Sequence, residues 1–143
     1  MVQHIFVYGT LKTGQCRERL WPCSPTEFRR AWTLGKLYDL GPYPAMILGS
    51  DRIAGQVWAI RDEDMEQTCK VLDEIEGTNQ AGCANLYDRV QVDVVLLDSG
   101  ERLRASTYIY AKPEQLANSQ VAAPSLMLNQ QAYCIWPPGS TWQ

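Results

Sequence analysis

Two alternating segments around a turn, residues 87–97 and 102–110, constrain the fold of this chain more than any other feature. In the first segment, apolar residues recur at every second position: Val90, Val92, Val94 and Leu96. The turn Asp98-Ser99-Gly100 supplies a glycine, so the pattern predicts an antiparallel hairpin with one buried face. Further strands are predicted near residues 3–8, 34–40 and 53–60. Together these segments favour a mainly antiparallel sheet or a small barrel.

The remaining segments are less regular. Residues 41–46 (GPYPAM) are predicted to form a rigid loop because their two prolines restrict the backbone. From about residue 112 onward the chain is rich in proline, and its pattern indicates at most one short helix near 113–119. With 143 residues, 45% of them apolar, the chain is predicted to form a single domain over 1–143 with an irregular C-terminal extension.

Composition narrows the classes of function. A net charge of -3 and thirteen scattered Lys and Arg residues argue against nucleic-acid binding. The sequence has no apolar run of about 18 residues and no secretory leader, which predicts no membrane association and a cytoplasmic location. Five cysteines without a C-x-x-C pair indicate reduced thiols. Since His4 is the single histidine, a histidine-rich metal site is excluded, and acid–base chemistry must come from carboxylates, tyrosines or lysines.

Residues 61–77 (RDEDMEQTCKVLDEIEG) predict the main helix, with Asp62 as N-cap and Gly77 just past its end. At about 100° per residue, one arc is apolar. Its members are Met65, Thr68, Cys69, Val71, Leu72 and Ile75. Glu76 falls in the middle of this arc, so a carboxylate occupies a position suited to a core side chain, whereas Asp73 and Glu74 are expected to point outward.

Glu76 is therefore a candidate acid–base group. Partial burial, the negative end of the helix dipole and the nearby Asp73 and Glu74 are each expected to raise its pKa toward neutral. A carboxyl tuned in this way suits general acid–base catalysis. Alternatively, the last turn of the helix frays and Glu76 turns to solvent, and periodicity alone leaves both alternatives open.

The segment Tyr8-Gly9-Thr10-Leu11 follows the first predicted strand, and its glycine allows a close approach of the backbone to another group. That group is either another strand or a ligand whose oxygens accept hydrogen bonds from free N–H groups. On these four residues alone, the contact with another strand is favoured.

Four motifs in order carry a resemblance to a known family. The segments VYGTLKTG, LGKLYDLGPYPAM, LDEIEG and LYDRV, within residues 2–110, resemble the gamma-glutamylcyclotransferase-like superfamily, particularly its gamma-glutamylamine cyclotransferase and AIG2-like branch. The resemblance implies an α+β fold, a small mixed β-barrel of about six or seven strands with one main helix. It also implies a metal-independent enzyme without cofactor that releases 5-oxoproline from a small gamma-glutamyl substrate.

The resemblance also assigns residues. It makes Glu76 the acid–base residue, the residue that the helical arc singles out independently. It implies that the gamma-glutamyl group is held by Tyr8, Gly9, Thr10 and Leu11. Less specifically, it places Tyr43, Tyr87 and Tyr110 near the pocket, where the alternative is that they are rim or core aromatics.

Two rival classes remain from the sequence. A non-catalytic module could use the same pocket to bind a small molecule or a peptide end, with Glu76 as a polar lining residue. A cysteine-dependent enzyme would need a thiol beside His4 or another base, and no cysteine spacing places one there. The long loop 77–85 and residues 112–138 depart from the family pattern, so the sequence leaves the leaving group and the oligomeric state open.

Overall fold

The structure, a computed structural model, describes residues 1–142. Its strands are β1 (Val2–Val7), β2 (Glu27–Asp39), β3 (Pro44–Arg61), β4 (Tyr87–Leu96), β5 (Arg102–Tyr110), β6 (Gln120–Val121), β7 (Leu126–Leu128) and β8 (Gln131–Tyr133). One α-helix, α1, spans Asp62–Glu76, and two short 3₁₀ helices span Glu18–Leu20 and Pro113–Leu116.

Strands β1 to β5 close into a barrel. Their order is β3-β1-β5-β4-β2, and β2 pairs back onto β3 along its whole length. Strands β1 and β5 are parallel, while the other neighbours in the barrel are antiparallel. The small mixed barrel with one main helix is therefore confirmed. Five strands close it, and β6 extends the sheet beside β2.

The second half of β1 is buried on both faces, which explains its apolar run Ile5-Phe6-Val7. Phe6 packs inside the barrel with Val57, whereas Ile5 and Val7 belong to the cluster that receives Leu72 of α1. The helix thus covers the outside of the barrel next to β1 and β3. This packing brings the end of α1 close to the loop that follows β1.

Strands β2 and β3 are longer than predicted. The expected loop at 41–46 is wrong in its second half, because β3 begins at Pro44 and pairs with Asp39. Proline is compatible with the first position of a strand, where no ladder donor is required. The pairing register shifts between Gly35 and Lys36, a bulge that bends the long ribbon.

The helix ends as predicted, just before Gly77. It begins at Asp62, one residue before the start that Asp62 as N-cap would imply. Strand β3 runs through Arg61 directly into the helix, so Arg61 is the N-cap and Asp62 is already helical. The predicted N-cap is thus wrong. Gly77 terminates the helix in the left-handed region with φ 66°, and its N–H donates to the carbonyl groups of Asp73 and Glu74.

The C-terminal extension packs onto the barrel. A 3₁₀ helix at Pro113–Leu116 occupies part of the predicted short helix, and β7 and β8 form a hairpin. The buried Trp142 donates its indole N–H to the carbonyl of Gly55 at 2.8 Å. The single-domain organisation over 1–143 stays a prediction. Within residues 1–142, no helix has the length and apolarity required to cross a membrane.

Candidate functional site

One cavity lies where the loop after β1 meets the end of α1. Its volume is about 110 Å³, against roughly 10–15 Å³ needed to hold one water molecule. It is lined by residues 6–11, 17, 43–44, 75–76, 86–87 and 107–108. Most of these side chains are apolar or aromatic, with few charged groups, as is typical of a small-molecule site.

The loop after β1 turns back on itself and leaves donors unused. The N–H of Lys12 donates to the carbonyl of Gly9 at 3.1 Å, and the N–H of Arg17 donates to the carbonyl of Thr10 at 2.8 Å. These bonds use carbonyl groups of the loop. Among residues 1–142, the N–H groups of Gly9, Thr10 and Leu11 have no acceptor. Since unpaired buried N–H groups are rare, this row of donors is suited to negative oxygens of a ligand.

Gly9 itself is required by a contact within the protein. A Cβ at this position would lie 2.7 Å from Cγ of Pro44, the first residue of β3. The strand contact favoured by the four residues is therefore present, and the same loop also lines the cavity. The two alternatives are compatible with each other.

Three tyrosines in the cavity wall donate their hydroxyl groups to the protein. Tyr8 donates to the carbonyl of Tyr108, Tyr87 to the carbonyl of Pro44, and Tyr108 to Oδ1 of Asp73, each at 2.6 Å. Burial raises the pKa of all three phenols, and for Tyr108 the bond to Asp73 adds to the rise. The tyrosines thus stay neutral and shape the cavity.

Glu76 supplies the titratable carboxyl of the cavity. Burial raises its pKa from an ordinary value of 4.5 to about 7, while the positive charge of Arg17 opposes this rise. The helix extends to Glu76. Of the causes that the sequence predicted for a raised pKa of Glu76, burial is the one present here. Asp73 and Glu74 do not contribute noticeably, and Glu74 is exposed.

Asp73 is buried, contrary to the outward orientation expected from the helical pattern. Its Oδ1 accepts from the Tyr108 hydroxyl at 2.6 Å and pairs with Nε of Arg89 at 3.1 Å. Strands β4 and β5, which carry these partners, flank this side of α1. The two bonds hold the last turn of the helix, three residues before Glu76.

Most of the residues expected to form the site line the same cavity. These are Tyr8, Gly9, Thr10, Leu11, Tyr43, Glu76 and Tyr87. Tyr110 lies outside the lining, and its ring packs edge-to-face on Tyr87 with centroids 5.4 Å apart. The functional roles of all eight remain predictions.

The sequence did not indicate Arg17, Thr107 or Tyr108 as lining residues. Tyr108 precedes Tyr110 by two positions on β5, so alternation along the strand could have placed both on one face. Arg17 lies in a polar segment without periodicity. In sequence it resembles the exposed Arg19, and no signal distinguishes the two.

Solved structures share this fold. An AIG2-like protein from Mus musculus superposes with a TM-score of 0.63 at 22% identity, covering 91% of this chain and 87% of that chain. A protein from Arabidopsis thaliana superposes with a TM-score of 0.62 at 24% identity, covering 82% of this chain and 67% of that chain. At these identities the likeness establishes the AIG2-like fold.

The family follows from sequence comparison. The model of the family described as gamma-glutamyl cyclotransferase, AIG2-like, matches residues 5–127. Gamma-L-glutamyl-butirosin B gamma-glutamyl cyclotransferase from Niallia circulans is 31% identical over 115 residues, or 79% of this chain and 70% of that protein. Gamma-glutamylaminecyclotransferase from Bos taurus is 32% identical over 119 residues, or 74% of this chain and 63% of that protein. The chain belongs to the AIG2-like gamma-glutamyl cyclotransferase family.

Proposed function

We propose that the protein is a gamma-glutamylcyclotransferase-like enzyme that releases 5-oxoproline from a gamma-glutamyl amine, amino acid or peptide. The observation that carries this proposal is the cavity shared by Glu76, with its pKa of about 7, and the acceptor-free N–H groups of Gly9, Thr10 and Leu11. Membership of the family supports the class of reaction.

The proposed reaction is an internal aminolysis. Ionised Glu76 takes a proton from the α-ammonium of the gamma-glutamyl group, and the free amine attacks the side-chain carbonyl carbon. A carbon–nitrogen bond forms to close the five-membered lactam. The attacking nitrogen passes its second proton to the departing nitrogen and Glu76 returns the proton that it took, so the amide bond breaks and the amine leaves as an ammonium ion. The atoms of the substrate equal those of the two products, so the reaction consumes no water.

The cavity supplies orientation and charge stabilisation. A folded gamma-glutamyl chain holds its amine next to its own carbonyl, so confinement in a small cavity favours the reactive geometry. The N–H groups after β1 donate hydrogen bonds either to the α-carboxylate or to the oxygen that becomes negative during attack. Tyr8, Tyr87 and Tyr108 fix the walls, because their hydroxyl groups are already bound to the protein.

We also propose that the reaction needs no metal or cofactor and takes place in the cytoplasm. Each proton transfer is assigned to Glu76, and residues 1–142 contain no group of three or more His, Cys, Asp or Glu side chains placed to hold a metal ion. The five cysteines are free, which is compatible with a reducing compartment.

The test is a screen of gamma-glutamyl amines, amino acids and peptides for released 5-oxoproline, with the parent protein and two variants. Glu76→Gln keeps the shape but cannot transfer a proton, so turnover should fall by a factor on the order of 100 or more. Glu74→Gln, on the exposed face of the same helix, is the matched control and should keep the activity of the parent.

The same screen separates an enzyme from a binding module. A parent protein that binds gamma-glutamyl compounds in calorimetry but releases no 5-oxoproline from any of them would favour the module. Equal turnover of the parent and Glu76→Gln would remove Glu76 from the chemistry while leaving the enzyme class in place.

A further inference from the structure

Arg17 is the basic residue of the cavity lining, and its guanidinium is not used by the protein. Within residues 1–142 it forms no ion pair and no side-chain hydrogen bond. Its charge nevertheless opposes the rise in pKa that burial causes at Glu76 and Tyr87, so it lies close to both. A guanidinium stays charged and carries five N–H donors in a fixed plane. The cavity therefore contains a cation with its donors available.

The backbone holds Arg17 in place. Its N–H donates to the backbone carbonyl of Thr10 at 2.8 Å, and its carbonyl accepts from the N–H of Leu20 at 3.0 Å. The first of these bonds ties it to the loop that carries the free N–H donors. The backbone of Arg17 thus has a defined position relative to the proposed site of the glutamyl group, and its side chain lines the same cavity.

Burial distinguishes the bottom of the cavity from its mouth. The exposed fractions of Tyr8, Thr10 and Leu11 are 6%, 7% and 3%, whereas Arg17 and Tyr43 are only half-buried. The glutamyl part, which every donor shares, fits the buried loop. The leaving amine, which differs between donors, then extends toward the opening past Arg17.

From this arrangement we infer that Arg17 selects the leaving group, and that the preferred donors are gamma-glutamyl amino acids or peptides with a carboxylate beside the departing nitrogen. The inference rests on the proposed function and narrows its substrate class. A guanidinium binds a carboxylate through two parallel hydrogen bonds. Its charge repels leaving groups that carry a further ammonium, such as diamines.

The test compares gamma-glutamyl-alanine with gamma-glutamyl-ethylamide, two donors whose leaving amines differ only by a carboxylate. Gamma-glutamyl-alaninamide adds an uncharged group at the same position. The parent should have a kcat/KM for 5-oxoproline release about tenfold or more higher with the alanine donor than with either neutral donor, given the usual strength of charge-assisted bonds.

Variants then assign this preference to Arg17. Arg17→Gln should lower the alanine-to-ethylamide ratio to about one, because the alanine donor is slowed more than the ethylamide. Loss of the charge also raises the pKa of Glu76 and slows both donors alike, and the remaining turnover of the ethylamide reports an intact fold. Arg17→Lys should give an intermediate ratio, because it keeps the charge without the two-pronged geometry. Arg19→Gln is the matched control, since Arg19 is exposed two residues away and outside the cavity lining, and it should keep the ratio of the parent.

The outcomes separate this inference from the proposed function. Equal rates of the parent with both donors, or equal slowing of both by Arg17→Gln, would overturn the role of Arg17 while 5-oxoproline release still supports the enzyme. Release from no donor would overturn both. Should Arg17→Gln lose its fold, Arg17→Lys decides, because an unchanged ratio in that variant contradicts a two-pronged contact.

Discussion

Replacing Glu76 by Gln should change how stability depends on pH, by an amount that follows from its burial. The pKa of this carboxyl is about 7 in the folded protein, against an ordinary 4.5. At about 1.4 kcal/mol per pKa unit, the difference corresponds to at most about 3–4 kcal/mol of unfolding free energy. Because the side chain is only half-buried, solvent screening reduces this figure, and about 1–3 kcal/mol is expected.

The sign follows from proton binding. Between pH 4.5 and about 7, the folded protein keeps the Glu76 proton that the unfolded chain has lost. The contribution of this group to stability is therefore fully present below pH 4.5, falls as the pH rises, and is lost above about 7. Glutamine has no proton to lose. The stability of Glu76→Gln relative to the parent should thus increase from low to high pH.

Urea unfolding at pH 4.5 and pH 8 measures this effect, with Glu74→Gln as the control on the exposed face of the same helix. We expect the Glu76→Gln minus parent difference to grow by about 1–3 kcal/mol between the two pH values, and the Glu74→Gln difference to stay constant. If the curves of Glu76→Gln and the parent run parallel, burial does not tune this carboxyl and the reasoning is refuted. In the parent, kcat/KM should also fall as the pH drops below about 7, because the base must be ionised.

Three further changes test the surroundings of the site. Tyr108→Phe removes the 2.6 Å hydrogen bond to Asp73, so the unfolding free energy in urea should fall by about 1–3 kcal/mol, and an unchanged value would argue against a role of this bond. Gly9→Val places a branched side chain where a Cβ would already lie 2.7 Å from Pro44, so calorimetry should find no donor binding, and a folded variant with the affinity of the parent would remove the loop from the site. Burial lowers the pKa of Lys12 from 10.5 to about 8, so the parent should gain stability from this group between pH 8 and 10.5. Lys12→Met should lack that gain when unfolding free energies are compared across this range, and an equal gain in the variant would contradict it.

The sequence predicted the position of Glu76 because helical periodicity is a local signal. Its place in the apolar arc follows from residues within two turns of the helix. The inward orientation of Asp73 depends instead on Tyr108 and Arg89, which lie on strands distant in sequence. Helical spacing cannot indicate partners supplied by other elements, so the expected outward orientation was wrong.

The strands show the same difference between features set by local sequence and features set by distant contacts. The hairpin of β4 and β5 was predicted closely because its alternation and its turn lie within one segment. The first half of β2 and the start of β3 were missed, since their pairing extends through a bulge and across a proline. Arg17 illustrates the limit at the site, because only the folded loop separates it from the exposed Arg19.

The last turn of α1 carries two carboxyl groups with opposite effects on stability: Glu76 lowers it when ionised, and Asp73 raises it. Above about pH 7, ionised Glu76 lowers stability, because its charge is partly removed from water. Three residues earlier, Asp73 accepts a hydrogen bond from Tyr108 and pairs with Arg89. These bonds anchor the turn and offset the unfavourable burial of Glu76, which would otherwise favour fraying of the helix end. A carboxyl can therefore be held at the cavity with a raised pKa because its neighbour on the same turn is fixed to the barrel.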